Sequence, residues 1–490
     1  MKSIRTNVRI EKMNQERLCS YVSNDFLDRS IIQEKLGEGT YGTVYRIRTH
    51  TGENYAVKYL PFDSDLRNVG VSQSGLLDSD LLVRLRNSPD IIKLIGICHS
   101  PGYLSLILEP MDSNLKMFIE KTPHHERIAL LPHFLHTMFR TVALMETLNI
   151  SHFDLKPQNI LVRRVVHDGS HIHDSAHMHD VDFKITDFGL SRASIGNYHV
   201  PKTELFSLWY RPPEYLSERP RNTFRILSGD VWSIGLTALE FIIGMPIFVA
   251  QSNKGILRLI YGSSIIPTMT NRVFDNANSN GTISGNLDVR KLIQTRAPSI
   301  DIPDKMIEII SQTMILNPDH RPTGIQLLSL FKDTISPTFL SSLFPEPVSH
   351  RVDSRSIGII VRMGYSIRVS LATIIISIEI FTRYLDHHVN TNMSLDIFAL
   401  AAFRIGSTYN EDKPPLTETI RETYVQKYNQ FLMTSNEIAS AEKIILNHLQ
   451  YRIYNMNLGP VIIRAYEQSI DFDHYNFDLL SNSLEHWFTC

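Results

Sequence analysis

Cysteine is scarce. The three in 490 residues, Cys19, Cys98 and Cys490, fall at no paired spacing, which argues against a disulfide framework and suits free thiols in a reducing compartment. An intracellular protein of cytoplasm or nucleus is therefore expected. Net charge is almost absent: 49 Lys and Arg face 51 Asp and Glu, so no global field favours nucleic acid or an anionic membrane as a partner. The opening stretch, MKSIRTNVRIEKMNQER, has no apolar core, and no secretory signal is expected. Long apolar runs are missing too. The most apolar, Ser370 to Ile378, ends at Glu379, far short of the roughly 20 residues needed to span a bilayer, and reads as a buried helix.

What is present is ordinary for a globular chain, with 43% hydrophobic and 20% charged residues and a length that suits about three compact units. Residues 1–29 are polar and carry no strong signal. Ile31 to Arg48 reads IIQEKLGEGTYGTVYRIR, two β-rich runs around Gly37, Gly39 and Gly42. Glycines let such a hairpin close over phosphates and offer them backbone N–H groups. The spacing also suits a dinucleotide fold, but there the glycines open a helix, whereas here Val44 and Tyr45 continue as strand. On this signal alone, a glycine-rich hairpin without a ligand is an equal reading. The next strand, Asn54 to Leu60, carries Lys58 between apolar neighbours, where it can reach back toward α and β phosphates.

The richest chemistry lies in His152 to Asn159, HFDLKPQN. Phosphoryl transfer asks for Asp154, Lys156 and Asn159 at these offsets. The carboxylate orients the attacking hydroxyl, the cation neutralises the moving phosphoryl group, and the amide oxygen can ligate Mg²⁺. After it come Asp187-Phe188-Gly189, Pro213-Glu214, Asp230-Val231-Trp232-Ser233 and a late Arg321. Together with the glycine hairpin and Lys58, this ordered series resembles the protein kinase signature, over about residues 30–335.

Within that family, GEGTYGTVY, DLKPQN, DFGLSR and LWYRPPEYL resemble cyclin-dependent kinases. The resemblance implies a two-lobed α+β kinase domain that binds ATP and Mg²⁺. Asp154 and Lys156 act in catalysis, Asn159 and Asp187 hold the metal, and Asp187 opens the activation segment that Pro213-Glu214 closes. Leu106 to Lys116, LILEPMDSNLK, resembles the hinge. It places Leu108 as gatekeeper, Glu109 and Met111 as backbone partners of adenine, and Asn114 near the ribose. Leu36, Val44, Ala56 and Leu161 form the apolar sandwich around the base, with Gly37, Gly39 and Gly42 over the phosphates. SQSGLLD, Ser72 to Asp78, sits where these kinases carry their cyclin-facing helix. Asp78 is then the acid that pairs with Lys58, one methylene shorter than the usual Glu. Asp80 is a poorer alternative, because it faces nearly opposite on the helix. Phe153 and Leu77 stand where the family has phosphate-binding arginines, Arg192 keeps the third, and Lys202 occupies the phospho-acceptor position beside Thr203. The resemblance thus implies an activation segment that works without phosphate. Thr40 and Tyr41 match an inhibitory phosphorylation pair. FSLWYR, Phe206 to Arg211, lies at the pocket for a proline after the acceptor, so protein substrates phosphorylated on Ser or Thr, with a Pro-directed choice open, are implied.

An insertion at about 163–183 carries His167, His171, His173, His177 and His179. It lacks a metal-site frame and reads as a solvated hairpin tip. Residues 269–300 read as a surface loop, and 336–352 as a linker stiffened by Pro337, Pro345 and Pro347.

Residues 353–455 are helical throughout by pattern. Val369 to Leu385 is apolar nearly all round and reads as a central bundle helix. Ser394 to Tyr409 is Ala-rich, and Ser435 to Leu449 has a Ser cap signal and a stripe at Ile438, Ala441, Ile445 and Leu449. TRYLDHH, ALAAFRIGSTYNE and AEKIILNHLQY resemble the cyclin box. That implies an all-α bundle docking in cis on Ser72 to Asp78. Of the Lys–Glu pair with which cyclins grip the kinase helix, Glu442 matches the Glu and Thr408 stands at the Lys. Residues 456–490 read as a helical tail. The competing reading is a catalytically weak scaffold whose cyclin-like part binds another kinase in trans.

Overall fold

The computed structural model describes residues 20–21, 24–39, 42–65, 68–100, 102–165, 181–193, 205–216, 227–262, 286–333, 353–386, 393–411, 413–428 and 433–453. Thr40, Tyr41, the histidine-rich segment, Lys202, Thr203, the linker and the tail lie wholly or mostly outside them.

The first lobe is built on a six-stranded sheet in the order β1-β7-β8-β4-β3-β2. Its strands are β1 Ser20–Tyr21, β2 Ile31–Gly39, β3 Gly42–Arg48, β4 Asn54–Pro61, β7 Leu94–Ser100 and β8 Tyr103–Leu108, and a small hairpin, β5 Asp63–Asp65 and β6 Asn68–Gly70, stands apart. Successive side chains alternate across the pleat. Ala56 and Leu60 of β4 turn inward to the main core, while Val57, with Ile47 and Ile107, makes a second cluster on the outer face. Phe26 and Leu27, on the short helix α1 Asn24–Asp28, pack on that outer cluster, and β1 pairs parallel with β7. Residues 20–21 and 24–28 thus add to the sheet and its outer face, although nothing in their sequence marks this.

Helix α2, Gln73–Arg84, starts at Ser72, whose hydroxyl accepts from Gly75 N. Every residue from Ser74 to Val83 is buried, including Asp78 and Asp80. A helix with buried acids on opposite faces needs polar partners on both sides. It has them: the active site on one side and the C-terminal domain on the other.

The second lobe contains α3 Leu115–Lys121, α4 His124–Thr147, α5 Pro213–Leu216, α6 Ser228–Ile243, α7 Asn253–Gly262, α8 Val289–Arg296, α9 Asp304–Thr313 and α10 Gly324–Ser329. Its short strands are β9 Ser113–Asn114, β10 Ile150–Ser151, β11 Ile160–Arg164, β12 Val181–Ile185 and β13 Arg192–Ala193. Helix α4 is long and apolar enough to cross a membrane, yet it packs against α6 and α10. Helix α8 corrects, over Val289–Arg296, the expectation of a loop over 269–300, of which 269–285 lie outside the described residues. Asp288 caps it by accepting from Lys291 N, and Val289 and Ile293, one turn apart, are buried.

Five helices form the described part of the last domain: α11 Ser354–Ile367, α12 Leu371–Leu385, α13 Leu395–Asn410, α14 Thr417–Tyr428 and α15 Ser435–His448. Helix α13, buried at every position from Asp396 to Tyr409, is the hub that touches the other four. The more apolar α12 lies beside it. The cap of α15 is Thr434, not Ser435: its hydroxyl accepts from Glu437 N and the Glu437 carboxylate accepts from Thr434 N.

Candidate active site

Cross-strand register sets the nucleotide cleft. Val44 pairs with Lys58, Lys58 with Leu106, and Ala56 with Leu108, so β3, β4 and β8 present these side chains in adjacent rows. Lys58 Nζ lies 2.6 Å from Asp78 Oδ2 and 2.7 Å from Asp187 Oδ1. Burial opposes its charge, but the two carboxylates outweigh that and raise its pKa above the ordinary lysine value. Asp187 is affected in the reverse sense: burial would raise it, and Lys58 holds it below the usual carboxylate range. The other Asp78 oxygen accepts from Phe188 N at 2.9 Å, so α2 is tied to the residue after Asp187 as well as to Lys58.

The catalytic-loop residues converge on Asp154. Its Oδ2 accepts from Lys156 Nζ at 2.7 Å and Asn159 Nδ2 at 3.0 Å, and its Oδ1 from Ser207 N at 3.1 Å and Ser207 Oγ at 2.7 Å. Lys156 Nζ also donates to Ser207 Oγ at 2.8 Å. The loop hangs from Asp230, which accepts from the N–H groups of His152 and Phe153 at 2.7 and 3.0 Å. Burial pushes the Asp230 carboxyl up to about 7 against these two donors. Ser207 was missed in the sequence. Its only signal is a hydroxyl next to Phe206 in FSLWYR, and its partners are some fifty residues away.

Phe153, Asp187 and Phe206 adopt φ of 64°, 70° and 63°, a left-handed region costly for such side chains and held here by their surroundings. Phe153 is buried and meets Phe206 edge-on with centroids 5.4 Å apart, and Tyr215 packs on Phe206 at 4.9 Å. Leu190 and Leu205 complete this cluster. An apolar plug therefore joins catalytic loop to activation segment. Farther out, Glu214 and Arg321 form a buried ion pair at 2.8 Å, with the guanidinium over Trp232.

At the hinge, Ala56, Leu108 and Met111 are buried, Val44 and Leu161 are half-buried, and Leu36 is exposed at the cleft mouth. Glu109 N donates to Lys93 O at 3.0 Å, which leaves its carbonyl for a base. The Met111 carbonyl accepts from Arg46 at 3.3 Å, which leaves its N–H. Asn114 Oδ1 caps α3 by accepting from Met117 N, so a ribose contact would share that oxygen or use the amide group. A Cβ on Gly37 or Gly39 would meet nothing within 4 Å, an open surface under which phosphates can lie.

The arrangement matches a known family. A model described as the protein kinase domain covers residues 31–331, more than half of the chain. The chain belongs to the protein kinase family. A second model, the N-terminal domain of cyclins, covers residues 341–454, so kinase and cyclin share one polypeptide. The kinase domain implies ATP and a divalent metal. The donor set fits: Asn159 directs its amide N–H to Asp154 and retains its oxygen, and the part-exposed Asp187 carboxylate supplies hard oxygens.

The cyclin domain meets α2 and its approach. Glu442 Oε1 accepts from Val71 N at 3.2 Å, and Gln73 Nε2 donates to Glu411 O at 2.8 Å. The cation beside Glu442 is Arg404, at 2.9 Å and fully buried, not a residue at position 408. Arg404 lies one helical turn before Thr408 on the same face of α13. Gly70, at φ 144°, sits directly on this pair; a Cβ there would lie 2.5 Å from Glu442 Oε2.

Proposed function

We propose that the chain is a Mg²⁺- and ATP-dependent serine/threonine kinase of cyclin-dependent type, activated in cis by its own cyclin domain, with no requirement for an activation-segment phosphate. The observation that carries the reading is one helix held on both faces: α2 gives Asp78 to Lys58 while residues around it bond to Glu442, Glu411, Tyr409 and Ile453.

In this reading Asp154 orients the substrate hydroxyl and accepts its proton as the phosphorus–oxygen bond forms. Lys156 stabilises charge on the transferring phosphoryl group, and Ser207 keeps both groups aimed. Lys58, fixed by Asp78, positions the α and β phosphates. Asn159 and Asp187 would hold Mg²⁺, which would supply charge neutralisation of the triphosphate. Positioning and electrostatics carry most of such catalysis, with each properly aimed charge supplying about 3 kcal/mol of barrier reduction.

The plug of Phe153, Phe206 and Tyr215 supports phosphate independence, because it orders the activation segment by apolar burial. Phe206 also supports a Pro-directed choice. Its turned carbonyl accepts from Arg211 Nε and Nη2 at 3.3 and 2.8 Å, so it does not serve a substrate N–H. Proline, which has no N–H, forfeits nothing there. Reducing-compartment cysteine usage supports an intracellular site of action.

The test uses the full chain, made without any partner and treated with phosphatase, on peptide pairs with Pro or Ala after the acceptor. Mg²⁺-dependent transfer to Ser or Thr that favours the Pro peptide is expected. Asp154→Asn should lose at least about 100-fold in turnover with nucleotide affinity retained. Transfer unaffected in Asp154→Asn contradicts the catalytic assignment.

A further inference from the structure

We propose that Asp80 is the positioning residue through which the cyclin domain sets the rotation of α2, and with it the reach of Asp78 to Lys58. The inference rests on the reading that the cyclin domain activates in cis, and names the contact that carries the coupling.

Asp80 is fully buried. At about 100° per residue, its side chain leaves α2 nearly opposite Asp78. Its Oδ2 accepts from Tyr409 OH at 2.9 Å and from Arg84 Nε at 2.8 Å, and its Oδ1 accepts from Ile453 N at 2.7 Å. Two of the three donors belong to the cyclin domain: the hydroxyl near the end of α13 and the backbone just past α15. The helix is thus clamped between opposed carboxylates, one committed to the nucleotide site and one to the activator.

A short acid makes this clamp matter. Asp78 lacks the extra methylene of a Glu, so the pair with Lys58 forms only while α2 stays close and correctly turned. Rotation that releases Asp80 carries Asp78 away from Lys58 and from Phe188 N. Asp80 also lies among cations. Arg84, Arg86, Arg383 and Arg452 gather there. Burial first, and then Arg86, Arg383 and Arg84, hold the Arg452 guanidinium below its ordinary value, with Asp80 acting in the opposite sense. Glu379 offsets Arg383 at 3.1 Å. An Asn at position 80 would present an NH₂ group to a donor and remove a compensating charge.

The experiment compares kcat, KM for ATP and thermal unfolding of the full chain with those of Asp80→Asn, Tyr409→Phe and Glu442→Gln, the last as a separate disruption of docking. Asp78→Glu is then added to Asp80→Asn, with Asp78→Glu alone as its baseline. Asp80→Asn is expected to lower kcat by about tenfold or more, and Tyr409→Phe, which removes a single hydroxyl, by a few-fold. The longer acid should restore part of the Asp80→Asn loss, because it reaches Lys58 from a relaxed helix. A loss in Asp80→Asn that the longer acid leaves untouched overturns the proposal in favour of a merely structural role. If Asp80→Asn and Tyr409→Phe stay within about twofold of wild type while Glu442→Gln loses activity, the proposal fails and cis activation stands. If all three match wild type, cis activation itself fails, and the proposal with it.

Discussion

Phe153 is buried in one apolar cluster with Leu190, Leu205, Phe206 and Tyr215. Truncation should therefore damage both fold and activity. Phe153→Ala is expected to lower stability by about 3 kcal/mol, the usual cost of emptying an aromatic site in a packed cluster, and to reduce turnover of the phosphatase-treated enzyme. Thermal unfolding and a kinase assay on the same preparation check this; an unchanged melting point would show that the cluster does not hold the segment. Lys58, Asp154, Asn159 and Asp187, the residues proposed to touch phosphate or metal, could be named from spacing and family resemblance because their chemistry permits few substitutes. Phe153 showed only what was missing. Its partners, Phe206 and Tyr215, lie far along the chain, and nothing local marks three aromatics as neighbours. Asp80 looked like a weaker copy of Asp78 for the same reason, since its donors come from Tyr409 and Ile453.

Between elements, β7 and the end of the cyclin domain meet at His99. This ring is buried, and its Nε2 is hydrogen-bonded to Tyr451 OH. Burial, and then the charge of Lys443, lowers its pKa from an ordinary 6.5 to about 4. The folded, docked form thus resists a proton that the unfolded chain accepts. Stability from this residue is complete above about pH 6.5 and is lost as pH falls toward 4, by about 3 kcal/mol in all. Melting temperature followed from pH 7 to pH 4.5 should fall more steeply in wild type than in His99→Phe. Equal slopes would show that His99 is not the group responsible. Element boundaries were partly readable. Helix α8 was hidden because its apolar residues number only a few and follow a long polar stretch. Arg404 was not singled out in the sequence, because residues four apart share a helix face and an Ala-rich helix offers no chemical landmark to show which turn carries the cation.

For the whole molecule, the fusion sets the physics of the proposed activation. A separate activator must find its kinase at cellular concentration, whereas a tethered one acts at an effective concentration of order millimolar when the connection permits docking. Both domains were legible, one from catalytic motifs and the other from helical pattern and resemblance, and both match family models. How they touch was only sketched, because docking depends on side chains that sequence spacing does not bring together. Gly70 under Arg404 and Glu442, Asp80 between Tyr409 and Ile453, and His99 beside Tyr451 form one continuous seam. The most direct measurement is specific activity of the phosphatase-treated full chain over a dilution series from micromolar to low nanomolar, with no other protein added. Activation in cis predicts constant turnover per molecule across the series. A turnover that falls in proportion to dilution, and returns when more chain is added, would show activation between molecules and contradict the account.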